Sequence, residues 1–278
     1  MSWLITGSQP FTANALLDQF PGAAAAYSLR NLVGTSNPNV VRVRRSSDNT
    51  EQDFTATQVT DGTLTTFCGA GDGFVRTWYD QSGNGNHLGQ SITANQPTIV
   101  GSGSIVTVNT KPGIQIDGSN DFLRCLLAVS TLNISIGLIY KNNGNIENRR
   151  IFELGDTTGG LTSLYASDNF QFPPTGKTVG YRNPQNEPVV GPAGNQSQTL
   201  VSYVRSSTTL QSAWFNNQPF TNTSSTTTFT SQQLTVGSAN TLIGFLNGIV
   251  QEFFVYPSNQ TANRTAIEAN INAHYAIY

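Results

Sequence analysis

Side chains able to do acid–base or metal chemistry are scarce in this chain, and the scarcity narrows the reading. Only two histidines occur, His87 and His274, and two cysteines, Cys68 and Cys125. No zinc-ligand spacing can be assembled from them. A Ser-His-Asp arrangement has to use one of the two histidines, and His274 lies on the last predicted helix, where a surface or interface role is expected. The run Asp80, Ser82, Asn84, Gly85 imitates the opening of an EF-hand loop, yet its twelfth position is Ser91 rather than Glu. A structural Asn/Gly turn is the preferred reading. No Gly-x-Gly-x-x-Gly or phosphate-loop pattern is present. Neither a metal nor a cofactor is expected.

The elements that must carry these residues read as strands. Hydrophobic residues make up 37% of the 278 and charged residues only 11%, against a usual charged share of roughly 25%. Ser, Thr, Asn, Gln and Gly take the place of charge, while 15 Phe, 9 Tyr and 3 Trp supply a core and argue against disorder. The net charge is −2. The cationic cluster Arg42, Arg44, Arg45 alternates with Val41 and Val43 as one polar strand face, so nucleic-acid binding is not expected. No apolar run is long enough for a membrane span. Met1 to Thr6 lack the features of a secretory signal, which predicts folding in the cytoplasm and reduced thiols.

Short β-like runs punctuated by Gly, Pro and Asn lie near 38–45, 74–80, 97–107, 112–117, 121–127, 131–140, 149–154, 199–206, 211–217, 231–237 and 247–256. Bulk on both faces of 247–256 predicts a central strand. A short helix is expected within 12–26. A second runs from about Asn259 to Tyr275, with Ile267, Ile271 and Tyr275 as its apolar stripe and Asn259 or Thr261 as its cap. The proline-rich segment 168–196 reads as a long loop, where binding tends to sit. The fold class is therefore all-β: a two-sheet antiparallel jelly-roll or concanavalin-A-like sandwich with a C-terminal helix. Residues 1–20 carry Trp3, Leu4, Ile5, Phe11 and Phe20 and are expected to attach to a partner. Residues 21–278 form the lectin-like domain.

The stretch Thr77-Trp78-Tyr79-Asp80-Gln81-Ser82-Gly83-Asn84-Gly85-Asn86-His87-Leu88 resembles one in the catalytic domain of the alpha-L-arabinofuranosidase B family. The resemblance extends to Ala25–Arg30, Val43–Asp48, Phe67-Cys68, Leu234–Asn240 and Ile267–Ile271. Gln115–Leu123 is similar to a strand–turn–strand of laminin-G-like domains. The resemblance implies a retaining glycosidase scaffold, which works with two carboxyl groups. It aligns the family's acid/base Asp with Ala239 and seeks the nucleophile in 168–185, where Asp168 is the only carboxylate. Alanine transfers no proton, so the expectation is a degenerate, non-catalytic domain. The resemblance also sets loop 168–196 and the Asn/Gly turn on one substrate face. The expected carbohydrate site joins Phe170, Phe172 and Tyr181 with Asp168, Asn183, Asn84 and Asn86; packing of those aromatics against the sheet is the open alternative.

On this reading the protein is a bacteriophage virion surface component (capsid decoration, fibre or tail tip). It is made in the host cytoplasm, homo-oligomeric, and partnered by other virion proteins and cell-surface glycans. The alternatives are an arabinofuranosidase-like hydrolase and a cellular carbohydrate-binding module.

Overall fold

The computed structural model describes residues 15–144, 149–155, 163–168, 178–182, 187–190, 196–206, 210–222 and 230–278. Its strands are β1 Ala25–Ser28, β2 Asn39–Arg45, β3 Glu51–Thr55, β4 Gly73–Trp78, β5 Leu88–Gly89, β6 Thr98–Gly101 and β7 Ser104–Ile105. There follow β8 Thr107–Val108, β9 Lys111–Pro112, β10 Ile114–Asp117, β11 Leu123–Leu126, β12 Ser135–Asn142, β13 Arg149–Gly155 and β14 Ser163–Asp168. The last are β15 Thr178–Arg182, β16 Glu187–Val190, β17 Gln198–Arg205, β18 Gln211–Phe215, β19 Gln218–Asn222, β20 Gln233–Val236 and β21 Asn247–Tyr256. The helices are α1 Leu16–Gln19, α2 Ala56–Thr60, α3 Thr63–Cys68 and α4 Arg264–Tyr275.

Antiparallel pairing builds two sheets. The front sheet runs β3-β2-β4-β5-β11-β20-β13-β14-β15-β16. The back sheet runs β19-β18-β17-β12-β21, and β21 pairs further with β1 and β10. Strand β6, bonded to both β4 and β10, joins the two sheets along one side. Between them lies the main core, including Trp78, Tyr27, Phe152, Phe253 and Val255.

Period-two alternation explains why β21 is central and apolar on both faces. Phe253 and Val255 point into the main core, whereas Phe254 and Tyr256 meet Leu16, Leu17, Ile267, Ile271 and Tyr275 in a second cluster. Helices α1 and α4 thus form a third layer over the back sheet. Burying Ile267, Ile271 and Tyr275 contributes about 1.5–3 kcal/mol each before entropy. An ion pair crosses the seam: Arg30 makes two bonds to Glu252 at 2.8 and 3.0 Å and donates to Asn270 of α4 at 3.0 Å. The Tyr275 hydroxyl reaches the same carboxylate at 3.2 Å.

Several expectations are corrected here. Segment 168–196 is not one long loop, since β15 and β16 lie within it. Pro188 is accommodated because β16 is, among the described residues, bonded on one side only, and an edge strand tolerates a missing donor. The single run at 97–107 breaks at Ser102 and Gly103, both at positive φ. Strands β3 and β19 and helices α2 and α3 had no prediction; α2 opens with a Thr55/Gln58 capping box. Helix α4 begins at Arg264 behind Asn263, because Asn259 spends its side chain on Thr261. Of segment 1–20, Ala15, Leu16 and Leu17 are buried in the domain, and residues 1–14 lie outside the described residues. Among the described residues no helix is long and apolar enough to cross a membrane.

Candidate functional site

Cross-strand register lines up one row of residues over the front sheet: Asp53, Arg42, Thr77, Gly89, Arg124, Thr235, Glu153 and Tyr165, each opposite the next. Their strand neighbours Val41, Val43, Trp78, Leu123, Leu234, Val236, Phe152 and Leu154 fill the main core. Alternation therefore turns the row to the outer face of the sheet.

Glu153 is the unexpected member of this row. It is a carboxylate between Phe152 and Leu154, only 5% exposed. Burying such a group is costly without compensation, and the buried Arg150 guanidinium stands 3.7 Å from it. Its partner Thr235 donates to the Asn240 side chain at 2.7 Å and receives a bond from Gln233 at 3.3 Å. Thr235, the cross-strand neighbour of Glu153, is thus bonded to the Asn240 side chain.

The turn after β20 brings Asn240 there. Gly237 has a φ of 92°, and a Cβ on it would collide with Ile116, so both backbone and space require glycine. The chain then closes tightly. The Ala239 amide donates to Ile243 at 3.1 Å, and Leu242 donates back to the Ala239 carbonyl at 2.9 Å. Ala239 itself is buried. Asn240, rather than Ala239, is the residue bonded to the Glu153 neighbour.

A carboxyl with altered acidity lies at the β10–β11 corner. Burial and the nearby Asp117 charge push Asp121 up to about 7. Register sets it about three residues along and two strands across from Glu153, on the order of 14 Å at backbone level. That exceeds the roughly 5–9.5 Å separations of paired glycosidase carboxyls. Asp121 serves its turn.

The Asn/Gly turn is a fastening. Asp80 accepts from the Ala26, Ser82 and Asn86 amides at 2.9, 2.9 and 3.0 Å and from the Ser82 hydroxyl at 2.8 Å. Asn84 donates its side-chain amide to the carbonyls of Ala23 and Ala24, and Asn86 donates to Ala24. The Tyr27 hydroxyl donates to the Asn86 carbonyl. Among the described residues no group of three His, Cys, Asp or Glu stands together as a metal site.

Of the expected carbohydrate residues, Asn84 and Asn86 border a shallow hollow with Leu127, Val129 and Pro257. Asp168 ends β14 opposite Arg149, and Tyr181 lies in β15 opposite Leu164. Register sets Asp168 and the Asn pair at opposite ends of the front sheet, so the two segments are not brought together as joined in the sequence reading. Phe170, Phe172 and Asn183 lie outside the described residues. Trp78 is core, and Trp214 is half-buried beneath Arg264, 4.4 Å from its ring. Burial and Arg30 push His274 down to about 4. Both cysteines are free thiols, Cys125 within 3.5 Å of the Tyr27 hydroxyl.

The fold is a glycosidase-like β-sandwich. Residues 18–130 match the family model described as the catalytic domain of alpha-L-arabinofuranosidase B. An arabinofuranosidase complexed with arabinofuranosyl-alpha-1,2-xylobiose superposes with a TM-score of 0.65 at 16% identity, over 92% of this chain and 63% of that one. A GH54 alpha-L-arabinofuranosidase soaked with a cyclic sulfate inhibitor gives the same four values. The chain thus spans less than two thirds of the length of these solved relatives. No curated protein matches.

These matches overturn the expectation of a non-enzyme, since the matched family is a catalytic domain and the fold is that of its enzymes. They give no support to the virion placement. The error was to weigh one turn position, Ala239, and to seek the other carboxylate only in 168–185. Glu153 was missed although its signal was present: one acid inside the apolar run Ile151-Phe152-Glu153-Leu154.

Proposed function

We propose that the chain is a glycoside hydrolase acting on alpha-L-arabinofuranosides, with Glu153 as its working carboxylate. The observation that carries this reading is a buried acid on the outer face of an arabinofuranosidase-like sheet, with Thr235, which bonds Asn240, as its cross-strand neighbour. A carboxylate held by Arg150 in a site poor in water interacts strongly with positive charge developing at an anomeric carbon. In this mechanism the Glu153 oxygen bonds to that carbon as the glycosidic C–O bond breaks, and its electron pair leaves on the departing oxygen. Water then attacks the same carbon, the bond to Glu153 breaks with its electron pair returning to the carboxylate, and the water's proton passes to solvent or to the departed oxygen. Asn240, bonded to Thr235, is the polar residue placed nearest to this carboxylate's cross-strand neighbour.

Alanine at 239 withholds general-acid help, which normally supplies about 10²–10⁴-fold. Leaving groups stable as anions are therefore the favoured substrates. The test is hydrolysis of 4-nitrophenyl alpha-L-arabinofuranoside by the full chain. Glu153→Gln is expected to lower kcat/KM by at least about 10²-fold. Absence of turnover above the blank, or turnover indifferent to Glu153→Gln in a folded variant, refutes the reading.

A further inference from the structure

Two arginines, Arg124 on this row and Arg76 next to its member Thr77, have no role in the proposed hydrolysis. Arg124, the other cross-strand partner of Thr235, is exposed. Its guanidinium rests over the Phe122 ring, 5.1 Å from the centroid, and has no carboxylate partner among the described residues. On its far side the row continues into Gly89. A Cβ placed there would lie 3.7 Å from Arg76 Nη1, so the Arg76 guanidinium overhangs a floor that carries no side chain. Arg76 is held only loosely, 3.8 Å from Glu51, whose carboxylate also serves Arg42 at 2.7 Å. Exposed Leu126 follows Arg124 at one remove on the same strand face.

We propose that Arg124 and Arg76 form a carboxylate-recognising subsite for a uronate-bearing, arabinose-substituted polysaccharide. This rests on the hydrolase reading for the sugar cleaved at Glu153, and it names the feature read beside that sugar. Two strand spacings, about 10 Å, separate Arg124 from Glu153, which suits the acidic residue next to the arabinose rather than the arabinose itself. Guanidinium forks match carboxylates in two-point geometry where a lysine offers only a point charge. The bare glycine leaves room for a planar carboxylate between the two arginines, and Leu126 offers an apolar surface to a sugar ring. Charge is otherwise sparse, at 11% of residues, which makes an unpartnered arginine on this row informative.

The test compares an arabinose-substituted polysaccharide carrying uronates with its carboxyl-reduced, neutral form. Hydrolysis and affinity electrophoresis are run in parallel with the full chain. The native protein is expected to favour the acidic polymer about tenfold at low salt, as charge-assisted bonds allow. The preference should fall toward unity near about 0.5 M salt, where exposed charges are screened. Arg124→Ala should cut the ratio several-fold, Arg124→Lys should keep part of it, and Arg124→Ala with Arg76→Ala should bring it close to one. A native ratio of one, or a ratio that survives the double substitution, overturns the subsite. If neither polymer is cleaved but electrophoresis keeps the arginine-dependent preference, the hydrolase reading falls and the subsite stands.

Discussion

Replacing Glu252 by Gln should be the most damaging isosteric change in the third layer. The Glu252 side chain is fully buried and that of Arg30 is 13% exposed. The carboxylate accepts both guanidinium bonds and the Tyr275 hydroxyl. Glutamine keeps the shape but leaves Arg30 charged and without its counter-ion beneath α4. Breaking a buried pair from one side costs about 3–5 kcal/mol. For a domain of this size one kcal/mol moves Tm by about 2 °C, so a drop of about 6–10 °C is expected in calorimetry. The pair is not expected to be a net source of stability, because apolar residues of similar volume often replace buried ion pairs without loss. Arg30→Met combined with Glu252→Met should therefore recover at least half of the deficit. A single variant melting within about 2 °C of native, or a double variant no better than the single, refutes this account of how α4 is held.

Two further outcomes follow. Asn240→Asp is nearly isosteric and puts a second carboxyl on the residue bonded to Thr235, the cross-strand neighbour of Glu153. It should raise kcat/KM by about tenfold or more on arabinofuranosides with poor leaving groups; an unchanged rate in a folded variant counts against Asn240 adjoining the reacting bond. Asp121, pushed up to about 7 from an unfolded value of about 3.9, holds an extra proton in the folded state between those values. Its stabilising contribution is complete below about pH 4 and is lost as pH rises through about 7. Relative to Asp121→Asn, native Tm should fall between pH 5 and pH 8, and parallel pH profiles would contradict this.

Strong periodicity was legible in the sequence. The bulk on both faces of Asn247–Tyr256 gave its central place, and Ile267, Ile271 and Tyr275 gave the docking face of α4. Where local composition outweighed pairing, the reading failed. Pro188 suggested loop, yet it lies on an edge strand. The candidate site was hardest to see. Arg124, Thr235 and Glu153 come from three strands more than 25 residues apart in the chain, and only register makes them neighbours. Asn84 and Asn86 drew attention as polar turn residues, but their amides are spent on Ala23 and Ala24.

That last arrangement bears on how such chains are recognised. The most distinctive run, Trp78 to Leu88, ties the backbone at residues 23–26 to a point some 60 positions later in the chain. Its carboxylate, amides and glycines serve as a buckle, and none of them stands on the row that holds Glu153. Selection for a closed end of the sandwich would preserve those letters whether or not any bond is cut elsewhere. A chain detected through this signature is thereby sorted by its assembly, and its chemistry has to be read from the strands near 124, 153 and 235.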